Sequence, residues 1–143
     1  MRYREVIHPP LWLLALVYFF MLTLVVSIWA ALGNNAALIA LAAFTAALMW
    51  IYVSTALIIE VDSNELRVGR AHIDLRFIGE CVNLDNTAIR QVRTRDANPH
   101  AFLAIRFWAP AGIRAEINDQ NDSTPYWLIS SNRGSDLIHA LKN

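Results

Sequence analysis

Asp119, Asn121 and Ser123 alternate along the chain as the first oxygen ligands of a calcium loop do. The glycine such a loop needs at its sixth position is absent, and so is the bidentate glutamate that closes it. The stretch therefore reads as a solvated turn, and no metal site is expected. His8, His72, His100 and His139 are scattered, without the paired spacing that would put two imidazoles on one ion. Cys81 is the single cysteine, so an intrachain disulfide and a multi-cysteine zinc site are both excluded. It lies in an apolar stretch without an adjacent base, which describes a small buried hydrophobe rather than a nucleophile.

Two groups of arginines could meet anionic headgroups: Arg67, Arg70 and Arg76, and then Arg90, Arg93 and Arg95. Their alternative is a solvated face neutralised by acids such as Asp74 and Asp96. Trp108, Tyr126 and Trp127 are large aromatics near strand ends, and alternation sends Tyr126 and Trp127 to opposite faces. One fills the core; the other is available to anchor a partner or to rest on the membrane interface. The candidate lipid or partner contacts are thus Arg67, Arg70, Arg90, Arg93, Trp108 and Trp127. No nucleophile–base set, carboxylate pair or phosphate-cradling glycine loop is recognisable. The expectation is a protein that is not an enzyme and needs no cofactor.

The elements that would position these residues begin with a gap. From Leu11 to Ile59 there is no Asp, Glu, Lys or Arg. A bilayer-spanning helix needs about 20 apolar residues, and Leu11–Leu32 and Ala36–Ile58 each supply that. Gly33-Asn34-Asn35 is the turn between them. Cleavage as a secretory signal is disfavoured, because the first apolar run exceeds the roughly 7–15 residues of a signal core and a second run follows at once. Arg2 and Arg4 flank one end of the hairpin, and Arg67, Arg70 and Arg76 the other. By the positive-inside rule both termini face the cytoplasm. Trp12 and Trp29 mark the ends of the first span; Trp50 and Tyr52 could mark the inner end of the second, with Val53–Ile59 extended beyond it. Ala36, Ala40, Ala43 and Ala47 allow close helix approach, within the hairpin or between copies. The spans hold no ionisable residue, which argues against transport.

The 143-residue chain has 12 basic and 12 acidic side chains. That balance argues against a nucleic-acid binder. After the gap the pattern turns to period two. Strands are expected at Ile58–Val61, around Leu66 and Val68, over His72–Phe77 and at Cys81–Leu84. Asp85 or Asn86 caps a helix from Thr87 to about Arg95, with Ile89 and Val92 inward. Phe102–Trp108 and Ile113–Ile117 read as a hairpin around Ala109-Pro110-Ala111-Gly112. Tyr126–Ser130 is a last strand, and Ser135 caps a final helix facing inward with Leu137, Ile138 and Leu141. The fold class is α+β. Residues 1–58 form a tail and transmembrane hairpin (about 11–32 and 36–58), and residues 59–143 an antiparallel β domain closed by a C-terminal helix. About seven short strands plus that helix fit a bent sheet or partly closed barrel of the pleckstrin-homology-like kind.

Several stretches occur together: Tyr3-Arg4-Glu5 with Pro9-Pro10, Leu66-Arg67-Val68-Gly69-Arg70-Ala71, Phe77-Ile78-Gly79-Glu80, Ala101-Phe102-Leu103 and Thr124-Pro125-Tyr126-Trp127-Leu128-Ile129-Ser130. In order and spacing they resemble a family of small actinobacterial membrane proteins with two N-terminal helices, classed as a domain of unknown function. This chain departs from that pattern at Phe107, at Asp122-Ser123 and at Arg133-Gly134, where the family tends to place proline. The resemblance implies a plasma-membrane location and assigns no catalytic residue. The expected role is a membrane-anchored cytosolic interaction or scaffold module. The alternative is an accessory subunit of a larger membrane complex. Expected partners are the lipid bilayer and another membrane protein or a second copy, and not nucleic acid.

Overall fold

A computed structural model describes residues 2–143. The chain divides into two compact units, one of residues up to Ile7 together with Leu57–Asn143, the other His8–Ala56.

The first unit is built on two four-stranded sheets. Strand β1 (Tyr3–Ile7) pairs antiparallel with β2 (Leu57–Val61), which pairs with β3 (Glu65–Val68), which pairs with β4 (Ala71–Asp74). The second sheet contains β5 (Ile78–Leu84), β6 (Phe102–Ala104), β7 (Gly112–Ile117) and β8 (Tyr126–Ser130), in the order β5-β7-β8-β6. Period-two alternation sends Ile7, Leu57, Ile59, Val61, Leu66, Val68 and Ile73 into one core with Ile113, Trp127, Ile129 and Leu137. Helix α4 (Gly134–Lys142) contributes Leu137 to that core, with Ile138 and Leu141 partly buried against it. Helix α3 (Asn86–Thr94) covers the other face of the second sheet, where Ile89 packs with Leu84, Tyr126 and Leu128. Strand β8 is therefore buried along its whole length.

Four expectations are corrected here. Residues 3–7, read as tail, form β1 and belong to the β unit, so that unit does not start at residue 59. His72–Phe77 is not one strand: β4 stops at Asp74, whose carboxylate accepts from the Arg76 amide and starts a 3-10 turn over Leu75–Phe77. Phe102–Trp108 does not pair with Ile113–Ile117. Strand β6 ends at Ala104 and pairs parallel with β8, while β7 runs between β5 and β8. Ser135 is not the cap of α4; the helix begins at Gly134 with Arg133 in the cap position, and the Ser135 hydroxyl instead accepts from Asn83 Nδ2 at 3.2 Å. The helix after β5 agrees closely: Asp85 caps it, accepting from the Ala88 amide at 2.7 Å.

The second unit is a helical hairpin, α1 (Leu11–Leu32) and α2 (Asn34–Ser54), turning at Gly33, whose φ of 90° suits glycine. Both helices are long and apolar enough to cross a bilayer. Helix α2 starts earlier and ends earlier than the expected 36–58. Asn34 and Asn35 join its first turn, where amides need no intrahelical partner, and residues from Leu57 are taken into β2. Ala37 is buried, and Ala36, Ala40 and Ala47 are partly covered, while Ala43 is exposed. The hydroxyls of Thr23, Ser27 and Thr45 donate to carbonyls of their own helices. The Trp29 indole N–H donates to Asn34 Oδ1 beside the turn, and the His8 and Tyr52 rings stack at 5.1 Å by the other end.

Candidate functional site

Strand β1 alternates Tyr3, Glu5 and Ile7 inward. That register forces a carboxylate into the interior, where an unpaired charge would be very unfavourable. Glu5 is 6% exposed and fully engaged. Its Oε2 accepts from the Tyr3 hydroxyl at 2.7 Å and from the Ser131 hydroxyl at 2.6 Å, and its Oε1 accepts from the Asn132 amide at 2.9 Å. Ser131 Oγ also accepts from the Arg133 amide at 3.1 Å, and the Arg133 guanidinium donates to the Arg4 carbonyl at 3.1 Å and lies over the Tyr3 ring. The segment between β8 and α4 is thereby wrapped around a carboxylate supplied by β1. Burial, reinforced by donation to Glu5, pushes the Tyr3 hydroxyl up to about 12, so it remains a donor at neutral pH. Beside this cluster Arg2, Tyr3, Ser135, Asp136, His139 and Asn143 line an open groove.

Chemically the cluster is a clasp. Each hydroxyl is oriented by the carboxylate, and among the described residues no imidazole or second carboxylate is hydrogen-bonded to it to move a proton. Among the described residues no group of three or more His, Cys, Asp or Glu side chains is placed to hold a metal ion. Asp119 and Asp122 spend their carboxylates on the amides of Asn121 and Thr124, each at 2.9 Å. The Thr124 bonds hold Asp122 below the ordinary carboxylate range. Cys81 is buried, and that burial pushes its thiol up.

The six residues singled out from the sequence do not form one surface. Trp127 is 5% exposed and packs in the main core against the Phe102 ring, at 4.6 Å between centroids, so it is not an external contact. Tyr126 is buried too, in the cluster beneath α3 with the Arg114 guanidinium over its ring. The alternation of the pair was legible; that both faces of β8 are covered was not. Trp108 is partly buried against the main core, with Phe107 exposed beside it. Arg67 is held by Glu65 on its own strand. Arg90 and Arg93 are exposed on α3, and Arg70 is exposed in the β3–β4 turn. Glu5 and Ser131 went unnoticed as a site. Their one local signal is an acid at the inward phase of an otherwise apolar alternation, five residues ahead of Pro10.

The family model described as "Protein of unknown function (DUF3093)" matches residues 2–141. No curated protein and no solved structure matches the chain. The match takes in both units, from the strand that carries Glu5 to the helix that follows Ser131, and the chain belongs to the DUF3093 family.

Proposed function

We propose that this protein is a membrane-anchored interaction module. The hairpin crosses the cytoplasmic membrane twice, and the β unit, a pleckstrin-homology-like arrangement, presents a binding surface on the cytoplasmic side. Its work is to hold a partner protein or a second copy in place; it is not an enzyme, takes no cofactor and binds no nucleic acid. The observation that carries this reading is the insertion of the helices between two neighbouring strands: β1 and β2 pair from Tyr3↔Val61 to Ile7↔Leu57, with His8–Ala56 as the connection. Strands that pair must lie on the same side of a membrane, so such a hairpin enters and leaves through one face. The arginine-rich flanks make that face cytoplasmic. Large apolar side chains such as Phe19 and Phe20, about 60% exposed, support a lipid setting for α1. The pleckstrin-homology-like reading is supported by the four-stranded meander, the second sheet and the closing C-terminal helix; the inserted hairpin and the parallel β6–β8 pair are departures from that plan.

Helix α1 has no buried residue, and that openness favours a second reading, an accessory subunit docked through its helices. Crosslinking in native membranes followed by a pull-down separates the two. Replacing both spans with unrelated ones should leave the captured partner unchanged for a module and abolish capture for a subunit. Release of the chain from membranes by alkaline carbonate would overturn both.

A further inference from the structure

The first sheet carries four arginines, Arg4, Arg67, Arg70 and Arg76, if the turn after β4 is included. Three are neutralised locally: Arg4 by Glu60 at 3.2 Å, Arg76 by Asp74 at 3.2 Å, and Arg67 by Glu65. Among the described residues Arg70 has no carboxylate partner. Its position is specific. Val68 pairs with Ala71, so Gly69-Arg70 is a two-residue hairpin loop. Gly69 has a φ of 62° and Arg70 does not have a positive φ, the pattern of a type II′ turn, which tightly fixes where the arginine emerges. The Gly69 amide donates to the Ile58 carbonyl at 2.8 Å, and a Cβ on Gly69 would lie 3.9 Å from the Leu57 side chain. The turn therefore occupies the same rim of the sheet as the Ile7–Leu57 pair, where the chain departs for α1 and returns from α2. That rim also exposes Ile58 and carries no acid. Asp62, Glu65 and Asp74 all lie at the opposite rim.

We infer that Arg70 is a headgroup contact: the β3–β4 turn seats on the phosphates of anionic lipid in the leaflet that the hairpin enters. The inference rests on the membrane-anchored reading above. Chain length supports it. Only Thr55 and Ala56 separate Ser54 from Leu57, and three residue steps span at most about 11 Å. The headgroup layer itself is roughly 5–8 Å deep on each side of the hydrocarbon. Trp50 and Tyr52, with rings suited to that layer, lie just before the end of α2. An unpaired guanidinium on this rim meets phosphate, which it binds in bidentate fashion, while the acidic rim is held toward the solvent.

The test uses the full chain in nanodiscs of phosphatidylcholine alone or of equal parts phosphatidylcholine and phosphatidylglycerol, with amide hydrogen exchange read by mass spectrometry. Exchange over residues 69–71 should slow about five-fold in the anionic discs, the factor expected for one basic side chain near a charged surface. The turn at residues 62–64 should exchange equally in both. Arg70→Lys should keep the slowing and Arg70→Gln should lose it. Equal exchange in the two discs, or slowing that persists in Arg70→Gln, would overturn the inference and leave the anchor intact; a chain that does not enter the discs at all would overturn the anchor with it.

Discussion

The Ser131 hydroxyl donates to Glu5 Oε2 at 2.6 Å across 126 positions of sequence. One partner precedes the helical hairpin, and the other follows the last strand. This bond and its neighbours lock β1, the strand that leads directly into α1, to the start of α4. A chain that lacks its final segment lacks two of the three groups that donate to the buried Glu5 carboxylate, those of Ser131 and Asn132.

Glu5→Ala is accordingly expected to destabilise the β unit by about 3 kcal/mol, because it strips a charged acceptor from the buried hydroxyls of Tyr3 and Ser131 and from the Asn132 amide. Arg93→Ala, on the exposed face of α3, should stay within about 0.5 kcal/mol. Urea unfolding of the full chain in detergent micelles measures both. Equal effects of the two substitutions would mean that the clasp contributes nothing.

The same cluster gives a pH dependence. The Tyr3 hydroxyl is raised from 10.0 to about 12 in the folded chain, chiefly by burial and then by its bond to Glu5. The protonated form is the one the fold favours. Stability from this group is thus complete below pH 10 and is lost as the pH climbs toward 12. Tyr3→Phe should be less stable than the parent near neutrality, and that difference should shrink across the window. A difference that is constant from pH 8 to the top of the window would show that Tyr3 does not titrate with folding.

Much of the secondary structure was legible because it is written locally. The Asp85 cap, the alternation of Tyr126–Ser130 and the charge-free helices each depend on neighbours within a few residues. What escaped depends on distant ones. Strand β1 was hidden because Glu5 interrupts its apolar phase, and its acceptance inside requires Ser131 and Asn132. The β6–β8 pairing is parallel and nonlocal, so Ala109-Pro110-Ala111-Gly112, which has the composition of a hairpin turn, was misleading. The candidate contacts fared by the same rule. Exposure of Arg70, Arg90 and Arg93 follows from local pattern, whereas the burial of Trp127 follows from the first sheet closing over it.

Cys81 offers a chemical reading of the same packing. Its thiol is buried and raised, and the thiolate is the reactive form. Iodoacetamide near pH 8 should leave it unmodified in the folded chain and alkylate it once the β unit unfolds, as followed by intact mass. Full alkylation without unfolding would contradict the burial of Cys81.

The central claim is that a hairpin inserted between β1 and β2 crosses the membrane and returns, so that only the turn at Gly33 and the first residues of α2 reach the far side. In a Cys81→Ala background, cysteines placed singly at Asn35 and at Asn64 report this directly through a membrane-impermeant maleimide applied to intact cells. The expected result is labelling of Asn35→Cys in intact cells and of Asn64→Cys only after permeabilisation. Labelling of both positions in intact cells, or of neither, would contradict the account.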